Sequence, residues 1–106
     1  PDSDIAASHD VVRSYKKKPF WIMEQQAGIA GWGTMARALD PGQMSVWAMQ
    51  SVAHGADAVV FFRWRACAMG TEQYWHGILG HSGRPGRTYE EAKKLMSYIC
   101  ATYGRI

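Results

Sequence analysis

A chain of 106 residues with 47% hydrophobic and 20% charged side chains has room for one small core, and its composition is neither that of a disordered tract nor that of a membrane protein. The formal charge of +3 comes from scattered Lys and Arg plus one run, Lys16, Lys17 and Lys18. No basic stripe interleaved with aromatics accompanies that run, which argues against a nucleic-acid interface. Cys67 and Cys100 form neither a disulfide framework nor a metal-binding spacing. Reduced thiols and the lack of a visible signal peptide, stop-transfer segment or lipidation motif suit a cytoplasmic setting, although the chain starts at Pro1 without a Met.

The first element is a helix over 2–17, with Ile5, Val12 and Tyr15 on one face and the Lys run at its negative dipole end. A strand follows over 19–23, an apolar run that reads as buried on both faces, and Glu24 stands where it breaks off. Residues 27–38 are a loop rich in Gly and Ala that contains Trp32. Asp40 as N-cap and Pro41 at the first helical position predict a second helix, with Met44, Trp47, Ala48 and Val52 as its buried stripe and His54-Gly55 as its end. A second doubly buried strand spans 58–64, AVVFFRW. A long loop over 65–87 holds TEQYWHG and HSGRPG, and Thr88 opens a last helix through a capping box to Glu91, with Ala92, Leu95, Met96, Ile99 and Tyr103 as its apolar face.

The order helix, strand, helix, strand, helix with apolar strands predicts parallel βαβ packing through a right-handed crossover. Two parallel strands cannot close a sheet, and each leaves an edge of unpaired donors and acceptors. The residues themselves therefore imply a piece of a larger α/β sheet or barrel.

In a parallel barrel the C-terminal strand ends and the loops after them line one pocket. Here they carry Glu24, Gln25, Gln26 and Trp32, then Arg63, Trp64, Arg65, Glu72, Tyr74, Trp75 and His76. Carboxylates, amides, an imidazole and flat rings suit a sugar, whose hydroxyls need donors and acceptors and whose C–H faces stack on aromatics. Hydrolysis of a glycoside with retention needs two carboxyl groups about 5 to 5.5 Å apart, one as nucleophile and one as acid/base. Glu24 suits either role, although taken alone a Glu just past a strand is more often a solvated loop acid or a cap. On its residues alone, Glu72 equally suits a surface ion pair with Arg65 or Arg87, Trp32 a plug for its loop, and His76 a packed histidine. His9, His54 and His81 share no metal spacing with it.

Three blocks, FWIMEQQ with a Trp eight positions after its Glu, SVAHGADAVVFFRWR, and TEQYWHGILGHSGRPGRTYEEAKKL, make the chain resemble glycoside hydrolase family 42, the β-galactosidases. The resemblance runs from about Pro19 to Leu95. It implies a (β/α)8 TIM barrel of which residues 1–106 are a partial catalytic domain, incomplete at its N-terminal side, supplying the seventh and eighth strands with their flanking helices. It implies retaining cleavage of terminal β-D-galactosides, with Glu24 as nucleophile, Trp32 as an aromatic wall of the galactose subsite, and Glu72 and His76 as binders of the galactose hydroxyls. The family's acid/base Glu lies in an Asn-Glu pair on the fourth strand, to which nothing here corresponds, so the chain by itself is expected to be inactive. Its structural zinc ligands also lie in earlier segments, so no metal and no cofactor is expected. A galactoside substrate and a homotrimer of the intact protein complete the implied picture. A non-catalytic sugar-binding or interaction module derived from such a barrel is the alternative.

Overall fold

A computed structural model describes residues 2–31 and 37–104. Helix α1 is Asp2–Lys16, strand β1 Phe20–Gln26, helix α2 Gln43–Ala53, strand β2 Ala56–Phe62 and helix α3 Arg87–Tyr103, with a single 3-10 turn at Thr71–Tyr74 in the last loop. The two strands pair in parallel, connected through α2, so the expected βαβ unit is present. Helix α2 is the hub, packing on both strands, on α1 and on α3.

The core is small. Ala27, Leu39, Met44 and Ala92 form it, with Trp47, Phe61 and Ile78 packed around them. Its residues come from α2, α3 and the loops beside β1, so burial is concentrated on one side of the sheet. The other side departs from the expectation of doubly buried strands: Trp21 is 63% exposed, Met23 67% and Val60 44%. Such a row of apolar side chains needs a covering layer that the described residues do not include.

Three boundaries also differ from expectation. Strand β1 continues past residue 23 to Gln26, so Glu24 lies within it rather than after it. Strand β2 is displaced toward the N-terminus and ends at Phe62, leaving Arg63 as the first residue beyond the sheet. Helix α2 starts at Gln43 rather than at Pro41, with Gly42 in a left-handed conformation as its N-cap and no side-chain cap. The Asp40 carboxylate binds Arg37 instead, at 2.8 Å, while the Asp40 N–H donates to the Gln43 side chain at 3.0 Å.

Helix α3 likewise lacks a capping box of its own, its N-cap being Gly86 without a side-chain bond. Glu91 reaches across to α2, where it accepts from the N–H groups of Gly42 at 3.2 Å and Ser45 at 3.0 Å and from the Ser45 hydroxyl at 3.1 Å. A carboxylate thus supplies the cap and the negative charge that the start of α2 lacks.

The other end of α2 follows the sequence reading. Gly55 has φ of +98°, and a Cβ there would collide with the Arg13 guanidinium, which donates to the His54 carbonyl at 3.1 Å. Helix α1 is joined to α2 at this point through Asp10 Oδ1 and His54 Nδ1, 2.6 Å apart, and through His9 Nε2 and Ser51 Oγ, 3.0 Å apart.

Candidate active site

Glu24 owes its setting to an irregularity of the sheet. Ile22 pairs with Val59 and Gln25 with Phe61, so Met23 and Glu24 together stand opposite Val60. This is a β-bulge, in which one extra residue interrupts the alternation of faces and re-aims a side chain. Met23 and Glu24 are consecutive and both exposed, which a regular strand would not allow if one face were covered. Among the described residues no hydrogen bond or ion pair engages the Glu24 carboxylate. It is presented at the C-terminal half of a parallel strand, free to meet a ligand.

The segments that follow the two strands are laced together. The Ala27 N–H donates to the Phe62 carbonyl at 3.1 Å, and the Gln26 amide folds onto the Gly28 carbonyl at 2.6 Å. The His76 N–H then donates to the Ile29 carbonyl at 2.8 Å, and the Trp75 indole N–H to that of Gly31 at 3.0 Å. Gly28 makes this approach possible, since a Cβ at that position would lie 2.7 Å from the His76 carbonyl oxygen. The loop carrying Glu72 and His76 is therefore docked on the segment that leaves Glu24. Trp32 lies outside the described residues.

Glu72 sits in the 3-10 turn and forms an ion pair with Arg63, neither of the two arginines considered from sequence. The Arg63 guanidinium stands over the Phe62 ring, 4.4 Å from its centroid, and Phe62 in turn meets Trp75 edge-on at 6.0 Å. Trp75, Phe62, Arg63 and Glu72 are thus one contiguous group at the C-terminal end of β2. His76 is exposed, with its ring edge-on to His81 at 5.4 Å.

The sequence places Arg63 and Trp75 among the rim residues without a task for either, and Phe62 in the strand core. The signal for Phe62 and Arg63 is the end of the apolar run itself, since the strand stops at Phe62, two residues before the expected end at Trp64.

A cleft of about 370 Å³ opens between these loops and the start of α3, lined by His76, Gly28, Ser82, Arg84 and Arg87 among others. Neither Glu24 nor Glu72 lines it. Among the described residues no carboxylate lines it, so the exposed rim around Glu24 is the better candidate for acid chemistry. Among the described residues no cluster of three or more His, Cys, Asp or Glu could hold a metal ion, and no helix is long and apolar enough to cross a membrane. Both cysteines are free thiols.

The family described as Beta-galactosidase, glycoside hydrolase 42, matches residues 1–101. A beta-galactosidase of Haloferax lucentense is 49% identical over 92 residues, covering 87% of this chain and 14% of the relative. One from Clostridium cellulovorans is 46% identical over 87 residues. Among solved structures, the beta-galactosidase from Bacillus circulans sp. alkalophilus superposes with a TM-score of 0.85 at 36% identity, over 92% of this chain and 15% of that one. The polyextremophilic beta-galactosidase from Halorubrum lacusprofundi gives 0.81 at 42% identity, over 88% of this chain and 14% of that one. The chain thus spans about one seventh of the length of the relatives it matches.

Proposed function

This chain belongs to the beta-galactosidase family of glycoside hydrolases 42, and from that premise we propose that it is the part of a retaining glycoside hydrolase that supplies the nucleophile and one side of the galactose subsite. In this reading β1 and β2 are the seventh and eighth strands of a (β/α)8 barrel, and residues 1–106 are a partial catalytic domain. The substrate is a terminal β-D-galactoside. A homotrimer is the form of the whole protein that the family resemblance implies.

The observation that carries the reading is Glu24, an exposed carboxylate set by a bulge in the C-terminal half of a parallel strand, whose following segment is hydrogen-bonded to the loop that holds a second carboxylate and an imidazole. Glu24 attacks the anomeric carbon, and the bond to the leaving oxygen breaks as a covalent glycosyl ester forms. An acid/base carboxyl from another segment of the whole protein protonates that oxygen, then takes a proton from the water that hydrolyses the ester. Glu72 accepts hydrogen bonds from sugar hydroxyls, His76 contributes a further polar contact and Trp32 a stacking wall.

The test is nucleophile rescue in the full-length protein. Glu24→Ala is expected to abolish turnover of an aryl β-galactoside, and azide to restore part of it while yielding the α-galactosyl azide. Inversion follows because azide takes the place of the missing carboxylate on the face opposite the leaving group. A β-galactosyl azide, or near-normal turnover without Glu24, would contradict the assignment.

A further inference from the structure

We infer that Arg63 is a positioning residue, which holds the Glu72 carboxylate in the orientation that receives the substrate's hydroxyls. The inference rests on the reading of Glu72 as a sugar binder. Glu72 lies in a 3-10 turn with no buried residue, so packing does not fix its side chain. Its ion-pair partner is Arg63, and the two side chains are 22% and 36% exposed. A pair that is partly shielded on both sides is screened less than a fully exposed one.

Arg63 is itself well anchored. It is the first residue after β2, its carbonyl accepts from the Ile78 N–H at 2.7 Å, and its guanidinium rests on the Phe62 ring. A planar, permanently charged group stacked on a ring presents its N–H fork in one direction. The carboxylate that meets this fork is thereby tied to the sheet rather than to its own loop. One carboxylate oxygen is engaged by Arg63 Nη2, which leaves lone pairs for a ligand.

Arg63 also limits how the loop can shift. A Cβ on Gly77 would collide with the Arg63 carbonyl, so the chain after His76 runs directly against the same residue that holds Glu72. Side chain and backbone of Arg63 therefore set the two flanks of the segment 72–77.

The test uses the full-length protein and compares Arg63→Ala, Arg63→Lys, Glu72→Ala and the double variant Arg63→Ala/Glu72→Ala, reading kcat and KM on an aryl β-galactoside with thermal unfolding beside them. Arg63→Ala is expected to lower kcat/KM by about 10- to 100-fold, the range for losing a hydrogen bond to a charged group. KM should carry most of that loss, and the double variant should be no worse than Glu72→Ala. Arg63→Lys, the variant least disturbing to folding, should fall between wild type and Arg63→Ala because it keeps the charge without the fork. Wild-type kcat/KM in both Arg63 variants while Glu72→Ala is impaired would overturn the positioning role alone. Losses that multiply in the double variant would do the same. Wild-type kcat/KM in Glu72→Ala would remove the sugar-binding role of Glu72 and the inference with it.

Discussion

Two side chains of this chain owe their behaviour to what surrounds them rather than to their type. Glu24 is presented to solvent because the bulge opposite Val60 turns it out of the ladder. His9 is the reverse case, buried between α1 and α2 with Ser51 at 3.0 Å and the Phe20 ring at 5.6 Å. Burial lowers its pKa below the ordinary 6.5, the nearby His54 lowers it further, and Asp10 partly opposes both. The folded state therefore prefers the neutral imidazole. Above the unfolded value this costs nothing. As pH falls from there through the lowered folded value, the unfolded chain takes up a proton that the folded one resists, and stability is lost. Amide exchange in α1 of the full-length protein, corrected for the intrinsic rate, should thus rise as pH falls below the ordinary 6.5. His9→Asn should flatten that rise, and an equal rise in the variant would contradict this account of the joint.

At the scale of elements, α2 depends on a residue of α3. Its N-cap is a glycine with no side chain to offer, and Glu91 supplies three acceptor contacts from the neighbouring helix. Glu91→Ala should cost about 1 to 2 kcal/mol of stability, the range for losing a cap together with a dipole-facing charge. A lower midpoint in a thermal or urea melt would register that cost. An unchanged midpoint would mean that water replaces the carboxylate without loss. This is also where sequence reading reached its limit. The order of five elements, the parallel pairing and the Gly55 terminus were legible because hydrophobic period and a left-handed glycine are local signals. The cap was not, since Thr88 and Glu91 have the spacing of a capping box and only packing reveals that the carboxylate turns to another helix. The bulge was equally hidden: Met23 and Glu24 continue a plausible strand in either register, and the partner strand alone shows which residue is extra. The sequence proposes Glu24, Trp32, Glu72 and His76 as site residues, whereas the contacts of Arg63 with Glu72 and Phe62 depend on where β2 stops, which the apolar run does not mark.

Considered whole, the chain has one covered face and one uncovered one. Trp21, Met23 and Val60 line a side of the sheet on which no described element packs, and each strand has a single paired neighbour. In the proposed barrel, further strands would pair with those edges and an interior would cover that face. The same reading assigns the second carboxyl of the reaction to another segment, so the purified 106-residue chain should not hydrolyse an aryl β-galactoside, and turnover by it would contradict the division of labour. If Glu24 is the nucleophile it becomes covalently glycosylated, and trapping captures that ester. The full-length protein would be treated with a galactosyl fluoride bearing fluorine in place of the hydroxyl next to the anomeric carbon, then digested and sequenced by mass spectrometry. One 2-deoxy-2-fluorogalactosyl adduct is expected, located on Glu24 in the peptide containing FWIMEQQ, with fluoride released from the anomeric carbon; an adduct on any other residue, with Glu24 unmodified, would refute the assignment.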